Sequence, residues 1–144
     1  MLKRHFVLLA LLCSAAIAAG CGSSNRPTFP VKGKVTYNGE PLTTGTVTFA
    51  PIGGGPPAYG EINKEGIYQL TTFEENDGAI PGTHRVMVSA LKDNGPGVAS
   101  SALIPDKYSG DQSGLEATVK DDGKNIVDLP LTGRITTKAP VAMP

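Results

Sequence analysis

Between residues 31 and 131, apolar and polar side chains alternate in short runs, each closed by glycine, proline, asparagine or aspartate. A period of two sends successive side chains to opposite faces of an extended chain, so each run predicts a half-buried β-strand. Residues 31–37 (VKGKVTY) set Val31, Gly33, Val35 and Tyr37 against Lys32, Lys34 and Thr36. Asn38-Gly39 follows, and because both residues tolerate positive φ, a tight turn is predicted across 38–41. Residues 45–51 (GTVTFAP) point Val47 and Phe49 inward, and 51–57 (PIGGGPP) end that strand. Residues 58–63 (AYGEIN) and 66–72 (GIYQLTT) flank Lys64-Glu65 and read as a hairpin, with Tyr68 and Leu70 facing the core. After the polar loop 74–82 comes the longest candidate, 83–91 (THRVMVSAL), with Val86, Val88 and Ala90 in phase. Residues 115–120 and 125–131 close the pattern around the turn Asp121-Asp122-Gly123.

No amphipathic helix of useful length interrupts this series. Seven short strands predict an all-β domain, a seven-stranded antiparallel β-sandwich of two sheets. The connection 92–114 spans 23 residues and is rich in Gly, Pro, Ser and Asp, with an apolar knot at 103–105 and Tyr108. A loop of that length is either packed on the surface or functional. Residues 132–144 lack periodicity and are expected to be disordered.

The first 20 residues follow a different pattern. Lys3 and Arg4 precede an apolar run, 6–19, and Ala18-Ala19-Gly20-Cys21 ends it. As a helix the run covers roughly 21 Å at 1.5 Å per residue, short of a hydrocarbon core of about 30 Å. The layout is that of a cleaved secretion leader, residues 1–20. Small residues before the cut admit the chain to a narrow protease cleft. Cys21 then offers a thiol for diacylglyceryl attachment and, after cleavage between Gly20 and Cys21, an amine for acylation. The alternative is an ordinary cut that leaves Cys21 as a free thiol. Ala18 stands where lipoproteins usually carry Leu, with Ile17 beside it. Residues 21–30 suit a tether between lipid and domain. Gly22, Ser23 and Ser24 supply no aspartate for inner-membrane retention, which favours an outer-membrane or surface location.

Loss of the leader removes Lys3 and Arg4 from the 13 basic residues, leaving 11 against 13 acidic ones, so no basic footprint for nucleic acid remains. Cys13 leaves as well, so Cys21 has no internal disulfide partner. With 18 Gly, 12 Pro and no Trp, the composition agrees with many strands and turns.

The runs VKGKVTYNGEPLTTGTVTFAP, GEINKEGIYQLTT and GAIPGTHRVMV carry Gly33, Val35, Gly39, Pro41, Leu42 and Gly45, then Val47, Phe49, Gly66, Tyr68, Pro81 and Gly82. This frame resembles the carboxypeptidase regulatory-like domain, a prealbumin-like (transthyretin-like) sandwich, over 31–131. IPDKY (104–108) and SGLEATV (113–119) look like the later half of short bacterial envelope lipoproteins built from one such domain. The resemblance implies a non-enzymatic module for adhesion, transport or scaffolding, with any zinc peptidase activity in a separate domain.

Candidate chemistry is sparse. His84 is the one histidine after the leader, and it is expected at the core margin. No H-E-x-x-H, G-x-S-x-G or cysteine pair accompanies it, so no catalytic set, metal or cofactor is expected. Acidic turns at 74–77, Asp93 and Asp121-Asp122 are weighed for Ca²⁺, but each offers too few oxygens. Lys32 or Lys34 with Asn125 is weighed for an isopeptide bond and set aside, because both lysines take the outward phase. Tyr59 and Tyr108, with Asp106 and Lys107 beside the latter, are the candidate binding residues. Tyr37 and Tyr68 fall on core phases.

The expected function is that of a lipid-anchored envelope protein whose sandwich binds other proteins or envelope components through 92–114 or its sheet edges. Binding of a small ligand, glycan or calcium is the alternative, and an accessory role to a separate peptidase is the remote one.

Overall fold

A computed structural model describes residues 26–136. The expected leader, the expected cleavage pair Gly20 and Cys21, the first part of the expected tether and residues 137–144 lie outside the described residues. The elements are β1 (Val31–Tyr37), β2 (Glu40–Pro41), β3 (Thr46–Pro51), β4 (Ala58–Glu61), β5 (Ile67–Gln69), β6 (Gly82–Ser89), β7 (Leu91–Lys92), β8 (Ser101–Ala102), β9 (Leu115–Val119), β10 (Asn125–Ile126) and β11 (Leu129–Leu131). A 3-10 turn, Asp106–Ser109, precedes β9.

One sheet is antiparallel throughout, in the order β4-β3-β6-β9. The facing sheet is built on β1, whose backbone groups alternate between two edges. The carbonyls of Pro30 and Lys32 accept from Asn125 and Val127 on one side. Those of Val31 and Val35 accept from Leu70 and Leu42 on the other. β5 and β2 therefore share one edge of β1, and β10 and β11 share the other.

Alternation decides which residues fill the space between the sheets. Val35, Val47, Phe49, Tyr68, Leu70 and Val86 are fully buried, in the phase expected for each strand. Phe49 of β3 and Tyr68 of β5 meet across the interface with ring centroids 6.3 Å apart. Each such side chain contributes about 1.5–3 kcal/mol by leaving water, which lets a domain of this size hold together without a disulfide.

Four features depart from the sequence-based expectation. First, the sheet on β1 is mixed, because β10 and β11 run parallel to β1. The long route through β6 and β9 returns the chain to the same end of the sandwich, so the last strand enters in the direction of the first.

Second, β4 and β5 do not form a simple hairpin. β4 ladders with β3 and β5 with β1, and between them only Tyr59 and Thr71 bridge. The two arms twist apart as they pass from one sheet to the other. Third, the end of the tether is docked: Phe29 exchanges two backbone hydrogen bonds with Ala79, and the Arg26 guanidinium donates to the Gly54 carbonyl.

The loop 92–114 is packed, the first of its two expected forms: β7 and β8 pair, and Ile104, Tyr108 and Ser113 are buried. Fourth, the start of the tail is ordered. Tyr37 Oη donates to the Gly133 carbonyl at 2.8 Å, and Asn38 both donates to and accepts from Gly133. The Asn38-Gly39 turn itself forms as expected, with φ of 51° and 92°.

Among the described residues, no helix is long and apolar enough to cross a membrane.

Candidate functional site

Along β4 and into the following turn, Ala58, Gly60 and Ile62 are buried while Tyr59, Glu61 and Asn63 are exposed. Along β5, Gly66, Tyr68 and Leu70 are buried while Ile67 and Gln69 are exposed and Thr71 is half-buried. The outward sets of both arms share one face, and the twist between the sheets makes that face concave. It forms an open cleft of about 660 Å³, walled by Thr46 on one side and Glu75 and Asn76 on the other.

The cleft is set by backbone contacts. Tyr59 and Thr71 exchange two main-chain hydrogen bonds, and the Asn63 N–H donates to the Ile67 carbonyl. Asn63 Oδ1 accepts from the N–H groups of Glu65 and Ile67, which shapes the turn. Asp77 holds the 72–77 wall, accepting from the N–H groups of Thr72, Phe73 and Glu74 and from the Thr28 hydroxyl. Partial burial pushes the Asp77 carboxyl up, but these donors outweigh it and hold it below the usual carboxylate range.

Of the candidate binding residues, Tyr59 alone presents an open ring, 51% exposed in the cleft. Tyr108 is 5% exposed, its ring buried rather than displayed. Its hydroxyl donates to the Thr132 carbonyl and accepts the Thr132 N–H, and so ties the 3-10 turn to the end of β11. A phenol with both partners supplied by the chain is driven to stay inside. Asp106 and Lys107 are exposed on that turn, away from the cleft lining, with the Lys107 ammonium 4.7 Å from the Tyr108 ring centre. The four tyrosines form no common patch, because Tyr68 is buried and Tyr37 half-buried.

His84 lies deeper than the core margin, with its side chain fully enclosed. Nδ1 sits 2.9 Å from the Gly82 carbonyl, so the proton is on Nδ1, and Nε2 is left with no partner among the described residues. The Phe49 ring is 5.8 Å away. Burial lowers the imidazole's affinity for a proton, and the Gly82 carbonyl only partly opposes this. Folded His84 is therefore neutral, whereas the unfolded chain takes up a proton below about pH 6.5. Stability present above that pH is lost as pH falls, until the folded ring itself protonates. The slope approaches about 1.4 kcal/mol per pH unit. Urea midpoints of the wild type are expected to fall between pH 7 and pH 5, and those of His84→Leu to stay level across the same range. Equal slopes for the two would refute this account of His84.

Among the described residues, no group of three or more His, Cys, Asp or Glu side chains converges on a point. Asp93 Oδ1 accepts the Gly95 N–H and shapes its own turn. Lys32 and Lys34 are exposed, whereas Asn125 is buried with its amide engaged by Lys120 and Pro30. No lysine stands against Asn125 inside the core.

Glu61, Ile67, Gln69 and Glu75 were not expected to share a site. The signal of Glu61, Ile67 and Gln69 was present in the outward phase of AYGEIN and GIYQLTT, whereas Glu75 comes from the polar loop that follows, and only the bent hairpin brings the four to one concavity.

The chain matches no protein-family model, and no curated protein is significantly similar to it in sequence. Among solved structures, a DUF3823 family protein from Parabacteroides merdae ATCC 43184 is similar over 75% of this chain, at 18% identity and a TM-score of 0.40. The chain spans 47% of that protein's length. What stands on the geometry is the fold, an all-β chain of packed sheets.

Proposed function

We propose that this chain is a non-enzymatic cell-envelope lipoprotein, held to a membrane by acyl chains on Cys21, whose sandwich works by contact. The observation that carries the reading is Ala18-Ala19-Gly20-Cys21 at the end of a basic-then-apolar leader. The proposed kinship to carboxypeptidase regulatory-like domains is supported by the frame residues Val35, Val47, Phe49 and Tyr68, all of which fill the core. Contact rather than chemistry is supported by His84, which is sealed in the interior with no hydrogen-bond partner on Nε2 among the described residues.

Two surfaces suit a protein partner. β9 is an outer strand of the four-stranded sheet, and an open edge accepts an added strand. Leu91, just before the 92–114 segment, and Val98 within it are both well exposed.

The test is chemical cross-linking in intact cells, followed by detergent extraction and mass analysis. The expected result is a chain that starts at an acylated Cys21, recovered in a cross-linked species of discrete size. A retained leader, an unmodified Cys21 or recovery as free monomer alone would count against the proposal.

A further inference from the structure

The outward face of the β4–β5 arms is not used by the fold. We infer that it is a binding groove for a neutral oligosaccharide, with Tyr59 as the stacking platform. The inference goes beyond the contact reading above by naming a ligand class and a place.

Shape comes first. The cleft of about 660 Å³ is open along the hairpin rather than enclosed. Drug-sized ligands are bound in sites that surround most of their surface. An open trough suits a ligand that is itself extended.

Chemistry narrows the class. A pyranose ring presents a patch of C–H groups on its faces and hydroxyls around its rim. An exposed aromatic ring covers the first, and planar amides or carboxylates bridge neighbouring hydroxyls on the second. Tyr59 and Ile67 supply exposed apolar surface, 51% and 38% exposed. Gln69 and Glu61 flank them on the same face, with Thr46 and Glu75 at the walls. Among the described residues, none takes up the side chains of Tyr59, Gln69, Glu61 or Glu75 in a hydrogen bond. These groups are displayed, not structural.

Charge excludes the anionic sugars. Glu61 and Glu75 line the groove and, among the described residues, no lysine or arginine does, so an acidic polysaccharide meets repulsion there. A peptide adding as a strand is disfavoured on different grounds. The two arms spend main-chain groups on each other at both ends, through Tyr59 with Thr71 and Asn63 with Ile67, which interrupts any ladder an added strand would need.

The experiment is calorimetric titration of the mature chain in a sugar-free zwitterionic detergent. The probes are cello-, malto-, xylo- and chito-hexaose, with polygalacturonate and oligolysine as charged comparators. At least one neutral hexaose is expected to bind, with Tyr59→Ala weakening it about tenfold or more and Gln69→Ala weakening it less. Tyr59 is half out of the fold, so the variant should keep the wild-type urea midpoint. Failure of all four neutral probes, tighter binding of either charged comparator, or an unchanged affinity in Tyr59→Ala would overturn the inference. Purified chain is used throughout, so this failure is separable from failure of the lipoprotein proposal, which is read from the mature N-terminus.

Discussion

A Cys21→Ala chain, exported through an ordinary cleavable leader, is expected to move from the membrane fraction to the soluble one almost completely. The proposal assigns all attachment to lipid on that residue. Each buried methylene of an acyl chain contributes about 0.8 kcal/mol, and one chain alone gives marginal binding while two or three anchor stably. Nothing else described here replaces that energy, because no helix among the described residues can cross a bilayer. Exposed apolar residues such as Ile52 and Ile126 are ordinary on a protein surface. The ordinary leader matters, since an uncleaved apolar run would itself hold the variant to a membrane. Carbonate-washed membranes that retain Cys21→Ala at the wild-type level would sink the proposal.

Gly33→Ala is expected to destabilise the fold by about 3–5 kcal/mol, a large share of the 5–15 kcal/mol that holds a domain. Gly33 sits in the middle of β1, the strand that every part of its sheet touches. Beside it, between β10 and β11, the Val127 carbonyl turns inward and accepts a hydrogen bond of 2.7 Å from the Tyr68 hydroxyl. Burial, with the Asp128 carboxylate adding to it, pushes the Tyr68 phenol above its ordinary pKa, so it remains a donor.

A Cβ on residue 33 would occupy the place of the Val127 carbonyl and press on the Tyr68 ring. Either β1 separates from the last strand or the carbonyl swings away and strands the Tyr68 hydroxyl, at a cost of about 1–3 kcal/mol for the lost partner alone. Gly53→Ala is the control, since its Cβ would meet nothing within 4 Å. Its effect should stay within about 0.5 kcal/mol. Urea unfolding separates the two, and equal midpoints would refute the packing account of Gly33.

The strands were legible because their signal is local. In VKGKVTY the alternation places Val31 and Val35 inside and Lys32 and Lys34 outside, and the structure keeps that phase. Asn38-Gly39 announces its turn for the same reason: two residues suffice to favour positive φ. The candidate site was only half legible. Tyr59 and Tyr108 carry similar signals as single tyrosines among polar neighbours, yet one opens into a cleft and the other is clamped to Thr132. What separates them is a partner 24 residues further on, which no local pattern names.

By itself, then, the sequence determined an all-strand core and the face of each strand that enters it. These follow from hydrophobic period and turn chemistry, which act over a few residues. Only the tertiary structure decided that β4 and β5 part company, that β10 and β11 run parallel to β1, and that the hairpin's outer face becomes a groove. A strand's alternation states which side is apolar but not which edge it will pair with. That choice depends on which edges remain open once the distant parts of the chain have packed.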